Sequence, residues 1–162
     1  MILSEHKTYL VEHGAASISH SGSTLWAHLA GVHRILEASN SPAHVSVAGL
    51  FHSVYGTRAF KQVLIDRSRR IEVRSLIGRK AENLVWAFCN LPRPKLFEVS
   101  IARQKFDWVS QWVETETISE LWDGLVRLEC ANLLEQKTLY RFPCLVLHAQ
   151  AIGMLDREGF SV

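Results

Sequence analysis

The sequence predicts an all-α domain of about six or seven helices. Three observations carry that prediction. Apolar residues recur at intervals of three and four over most of the chain, all four prolines fall where helices should begin or end, and no segment alternates as a half-buried strand does. Ser23 and Thr24 can cap a helix to about Ala38, with Leu25, Leu29, Val32 and Leu36 on its apolar side. Ser41 caps the next helix with Pro42 at its first position; Val47, Leu50, Phe51 and Val54 form its stripe and Gly56 ends it. A third helix over about 70–90 carries Ile77, Ala81, Leu84, Val85 and Phe88 until Leu91-Pro92-Arg93-Pro94 breaks the chain. Residues 97–113 predict a fourth, weakened by β-branched positions. Ser119 caps a fifth, which runs to about Leu139, and Arg141-Phe142-Pro143 opens the last, with Leu147, Ala151 and Leu155.

Composition narrows the class of protein. At 162 residues, 48% hydrophobic and 21% charged, the chain suits one globular domain spanning 1–162, not a disordered, fibrous or disulfide-built one. Its apolar runs fall far short of the roughly 18 residues of a membrane span. Glu5, His6 and Lys7 stand where a secretory peptide would be apolar, so a cytoplasmic protein with no membrane partner is expected. The cysteines Cys89, Cys130 and Cys144 have apolar neighbours and no CxxC spacing, which predicts reduced core thiols. Residues 58–80 hold eight cations against two carboxylates, and 107–135 hold seven carboxylates against Arg127 alone. Two mutually attracting faces are the simplest expectation. The basic stretch lacks the interleaved aromatics of a single-strand binder and net charge is only +2, so nucleic acid is not an expected partner. The five tryptophans fall at or near apolar helical positions and suit core or interface, which leaves room for a homodimer.

Chemistry points to the histidines. Of eight, His20, His28, His33 and His52 lie in the first third of the chain beside predicted helix faces, with three others in the same third. His28 and His33 are five apart, about 140° around a helix, and so do not form the i, i+4 metal pair. His28 and His52, however, sit on helices joined by a short connection and can face each other if those helices pack as neighbours. Tyr55-Gly56-Thr57-Arg58 can present a phenol, a hydroxyl and a guanidinium to an anion, and Glu82 lies beside an apolar helix face.

A His in the first long helix, then Ala48-Gly49-Leu50-Phe51-His52-Ser53, then a late helix with Asn132, resembles the HD-domain superfamily. Over residues 24–139 the layout is most similar to the alarmone (guanosine tetraphosphate) hydrolase branch. The run from His20-Ser21-Gly22 to Tyr55-Gly56-Thr57 also looks like an uncharacterised HD-like family. The resemblance implies a single-domain HD-like helical bundle. It further implies a divalent ion, iron, manganese or zinc, on His28 and His52, serving hydrolysis or oxygenation.

The pattern departs from the superfamily at its carboxylates. Ser53 replaces the bridging Asp, Tyr55 and Gly56 replace the acidic pair, and the late Asp position aligns with either Cys130 or Asn132. The resulting expectation is a polar cleft for a small anionic molecule. His28, His52 and Tyr55 would act on it, and His20, Thr57, Arg58, Glu82 and Asn132 would bind it. The competing expectation, which leaves open whether the chain is an enzyme, is a degenerate HD module that serves as an interaction or sensing domain.

Overall fold

The computed structural model describes residues 4–156, so the first three and last six residues of the expected 1–162 domain lie outside the described residues. The fold is all-α. Helix α1 (Ser4–Glu12) leads into a minimal antiparallel pair, β1 (Ser19–His20) and β2 (Ser23–Thr24), which the sequence pattern does not announce. Ser21 (φ 46°) and Gly22 (φ 81°) make its two-residue turn, the left-handed pair that matches strand twist in a tight hairpin. His20 thereby stands on the first hairpin arm, paired with Ser23 on the second arm, which enters α2 (Leu25–Ala38).

Thr24 caps α2 by accepting the Ala27 N–H at 3.2 Å, as the sequence predicts. Helix α3 (Ala43–Phe51) stops before Gly56, with Pro42 just outside its first turn. The helix expected over 70–90 is two, α4 (Arg70–Ile77) and α5 (Arg79–Asn90), because the chain turns at Gly78. The one expected over 97–113 is α6 (Lys95–Arg103), stopped at a left-handed Gln104, then a 3-10 turn over Asp107–Trp112. Helix α7 (Ile118–Glu135) starts earlier than Ser119 implies. Thr117 and Glu120 form a reciprocal capping box, which satisfies two otherwise open N–H groups. Helix α8 (Pro143–Ala151) follows, and Leu155 lies beyond its end.

Helices α2, α3, α5 and α7 pack against one another and enclose the core of Leu29, Val32, Leu36, Leu50, Phe51 and Val85 with Leu125 and Leu128. His33 joins this frame structurally: its Nδ1 bonds the Ser46 carbonyl at 2.7 Å, tying α2 to α3. The charged faces meet as expected. Arg70 and Arg74 reach Glu114 at 2.8 and 2.9 Å, and Lys80 reaches Glu120 at 3.5 Å. Cys89 and Cys130 are buried free thiols, and Cys144 is half-buried. No helix among the described residues is long and apolar enough to cross a membrane.

Candidate functional site

The adjacency of α2 and α3 decides the site. Helix α2 presents His28 inward, α3 ends at Phe51, and His52 in the next position turns back toward it. Their Nε2 atoms lie 3.1 Å apart, with ring planes 71° to each other. Each outer nitrogen is engaged. His52 Nδ1 meets the Gly49 carbonyl at 2.8 Å, and His28 Nδ1 meets the Glu135 carboxylate on α7. With the Gly49 carbonyl and the Glu135 carboxylate as acceptors, both rings carry their proton on Nδ1 and turn an Nε2 lone pair toward the other. Two lone pairs at that separation repel unless a proton or a cation stands between or beside them.

Glu135 reaches His28 because Gly31, one turn along α2, has no side chain. A Cβ there would stand 2.8 Å from Glu135 Cγ. The carboxylate also borders an outer hollow lined by Arg34 and Ser39, so it links the buried imidazole to the protein surface.

The pair borders a cavity of about 360 Å³. His20 stacks on His28 with ring centroids 4.1 Å apart and meets Phe60 in an edge contact at 4.9 Å. Asn132 from α7 lines the same space while Cys130 turns its thiol to the Leu145 carbonyl, so of the two late alignments the one through Asn132 faces the cavity. Arg93 and Glu129 complete the wall. Glu129 is 0% exposed and takes the Arg93 guanidinium on Oε2 at 2.7 Å, and Arg93 lies 3.7 Å over the Phe88 ring. Three buried polar atoms without a hydrogen-bond partner among the described residues belong to this cavity: His20 Nδ1, Ser53 Oγ and Glu129 Oε1. Unsatisfied buried polar atoms are costly, and three around one hollow mark where a polar guest would be stabilised.

Burial governs the electrostatics. It holds His52 well below the ordinary histidine value, and it lowers His28 against the opposite pull of Glu135 and, more weakly, of Asn132. Burial and then the neighbouring His28 push His20 down to about 4. An unfolded histidine titrates near ~6.5, so the unfolded chain takes up protons first as the pH falls. The stability contributed by neutral His20 is thus complete above ~6.5 and is lost down to about 4. Thermal unfolding across a pH series should show a flat melting temperature at pH 7–8 and a progressive fall of several degrees toward pH 4. His20→Gln should flatten part of that fall; an unchanged profile would remove His20 as a contributor.

The structure brings His20, His28, His52, Thr57 and Asn132 to one cavity, and Ser53 with them. It takes three other expected site residues elsewhere. Tyr55 donates its hydroxyl to Glu82 Oε1 at 3.2 Å, and burial with that carboxylate raises its pKa, so it is held as a neutral donor away from the histidines. Glu82 is fully buried and gripped by Arg70 and Arg74 at 2.7 Å each. Arg58 lines a neighbouring pocket with Tyr55. Helical periodicity extended past Phe51 misplaces Tyr55, because the chain turns at 52–55. Sequence reasoning passed over Arg93, inside a Pro-flanked break, and Glu135, whose approach only the bare Gly31 betrays.

The metal that the HD resemblance implies can be tested against these donors. Among the described residues no three His, Cys, Asp or Glu side chains form a ready cluster. Two imidazoles each ~2.1 Å from one ion are about 3.0–3.4 Å apart, which matches the 3.1 Å pair. A carboxylate and a carbonyl on the outer nitrogens are the usual supports of metal-bound histidines. The residues therefore fit an ion held by His28 and His52 with the Asn132 amide beside them.

No curated protein and no solved structure matches the chain. A family model described as a domain of unknown function (DUF6817) matches residues 9–93, just over half of the chain, and takes in His20, His28, His52, Ser53, Thr57 and Arg93 of the cavity. The chain therefore belongs to the DUF6817 family, and the matched segment contributes both imidazoles of the facing pair.

Proposed function

We propose that the cavity is a metal-assisted acid–base site of HD-like type that acts on a small anionic molecule, with His28 and His52 holding one divalent ion. The observation that carries this reading is the facing pair of Nε2 atoms, 3.1 Å apart, with both Nδ1 protons committed. Further support is the order of the cavity residues along the chain: a His on α2, a His-Ser step after α3 and an Asn on α7 follow the HD layout. A bound divalent ion supplies Lewis-acid polarisation and lowers the pKa of a coordinated water.

The protein's own groups do the rest. Glu135 fixes the orientation of His28 and keeps its proton on Nδ1. His20, neutral at physiological pH, offers Nδ1 as an acceptor that orients a hydroxyl or water, and the Ser53 hydroxyl offers a donor. Charge makes the ion decisive for the substrate. Arg93 is spent on Glu129, and Glu135 adds another carboxylate behind His28. An anion thus finds no free positive charge among these groups until a cation enters.

The test is calorimetric titration of chelator-treated protein with Mn²⁺, Fe²⁺ and Zn²⁺, paired with elemental analysis of untreated protein. One ion per chain is expected. His28→Ala and His52→Ala should each weaken binding by on the order of 100-fold with the helical circular dichroism retained, and Ser53→Asp, which restores a carboxylate next to His52, should tighten it. Folded protein that binds none of the three, or binding indifferent to both alanine variants, would overturn the reading and favour an interaction or sensing module.

A further inference from the structure

The basic stretch of residues 58–80 is not uniformly neutralised. Arg69 is paired with Glu72, Arg70 and Arg74 with Glu82 and Glu114, and Lys80 with Glu120. Arg58, Lys61 and Arg67 form no ion pair among the described residues, and these three line one pocket of about 370 Å³ that no carboxylate lines. Arg67 is held in place by the Asn90 side-chain oxygen at 2.6 Å and by the face of Trp86 at 5.3 Å. The nearby carboxylates are committed: Asp66 accepts the Ser68 N–H and hydroxyl, and Glu82 holds its two arginines.

One loop separates this pocket from the histidine cavity. Thr57 N–H donates to the Phe60 carbonyl at 2.7 Å, and Phe60 N–H donates back to Thr57 Oγ1 at 2.9 Å. The Val54 carbonyl accepts both Leu64 and Ile65 N–H at 2.9 Å, which pins the far end of the loop. Its residues divide between the two hollows: Ala59 and Phe60 line the histidine side, Arg58 and Lys61 the basic side, and Thr57 lines both.

We propose that the Arg58–Lys61–Arg67 pocket binds the phosphate group of a phosphorylated small molecule whose remaining part passes Thr57 into the histidine cavity. Three cationic residues, two arginines and a lysine, around one hollow match the charge and multiple acceptor oxygens of a phosphate dianion better than the single charge of a carboxylate. The phosphate site itself does not need the metal. Only the assignment of the neighbouring cavity as the place of reaction rests on the function proposed above.

The experiment titrates the full chain, stripped of metal with chelator, with inorganic phosphate at low ionic strength, followed by amide chemical shifts. Saturable binding in the millimolar range is expected, with shifts centred on residues 56–61, 67 and 90. Arg58→Gln/Lys61→Gln, two exposed positions whose replacement leaves the fold intact, should weaken it at least tenfold. Arg67 is kept because its contacts with Asn90 and Trp86 are structural. His28→Ala should leave phosphate binding unchanged, and Arg58→Gln/Lys61→Gln should leave Mn²⁺ binding unchanged, so each reading can fail without the other. Absence of saturation, indifference to the double variant, or equal binding of acetate at matched ionic strength would overturn the phosphate assignment.

Discussion

Replacing Arg93 by Met is expected to lower the free energy of unfolding by about 3–5 kcal/mol, the usual cost of stranding one member of a buried ion pair. Glu129 is 0% exposed; among the described residues its Oε1 lacks a partner and the 2.7 Å bond from Arg93 to Oε2 is its one ion pair. Methionine retains most of the packing of the stem over Phe88, so the loss is that of the charge and of the 3.2 Å hydrogen bond from Arg93 Nε to the Phe88 carbonyl. Adding Glu129→Gln to the same chain should return most of the deficit, because the stranded charge is then removed. Urea denaturation of the two single variants and the double closes the cycle. A single-variant cost below ~1 kcal/mol would mean that Glu129 is neutral or reached by water.

The second large effect is expected at the buried carboxylate of α5. Arg70→Leu with Arg74→Leu should destabilise the protein by about 3–5 kcal/mol, since Glu82 is fully buried and would keep only the 3.2 Å hydroxyl of Tyr55. The consequences should be uneven. Helix α4 buries only Val73 fully, packs Leu76 and Ile77 partly against the core and leaves Ile71 79% exposed, so its attachment combines a small apolar contact with these guanidiniums. Hydrogen exchange should show α4 losing protection ahead of α2, α3 and α7. Glu82→Leu should cost less, because both arginines can still reach Glu114 and solvent. Equal protection across the four helices would show that packing, not charge, secures α4.

Much of the fold was legible because helices announce themselves locally. The stripe of Leu25, Leu29, Val32 and Leu36 and the cap at Thr24 define α2 within one stretch of chain, and Pro42, Pro94 and Pro143 mark the starts of α3, α6 and α8. The misses are equally physical. The apolar period continues through Gly78 and Gln104, and only the backbone turns there divide the helices. The two-residue strands around Ser21-Gly22 are too short for any alternation to be read.

The candidate site was legible in its residue types and not in its assembly. His28 and His52 could be paired on paper because a short connection makes α2 and α3 neighbours, and their Nε2 atoms do meet. Residue type alone could not separate Tyr55 and Glu82, bound to each other, from the histidines a few residues away. Nor could it find Glu135, which comes from 107 residues along the chain to orient His28.

By itself the sequence determined the helical class, the near-neutral balance of opposed charged segments and the set of imidazoles, since these depend on composition and on periodicity over a few turns. Tertiary structure alone decided which charges cancel. It spends Arg70, Arg74 and Arg93 on buried glutamates and leaves Arg58, Lys61 and Arg67, around one pocket, without an ion pair among the described residues. Pairing of charges depends on distances of a few ångströms between residues far apart in the chain, and those distances exist only once the helices have packed.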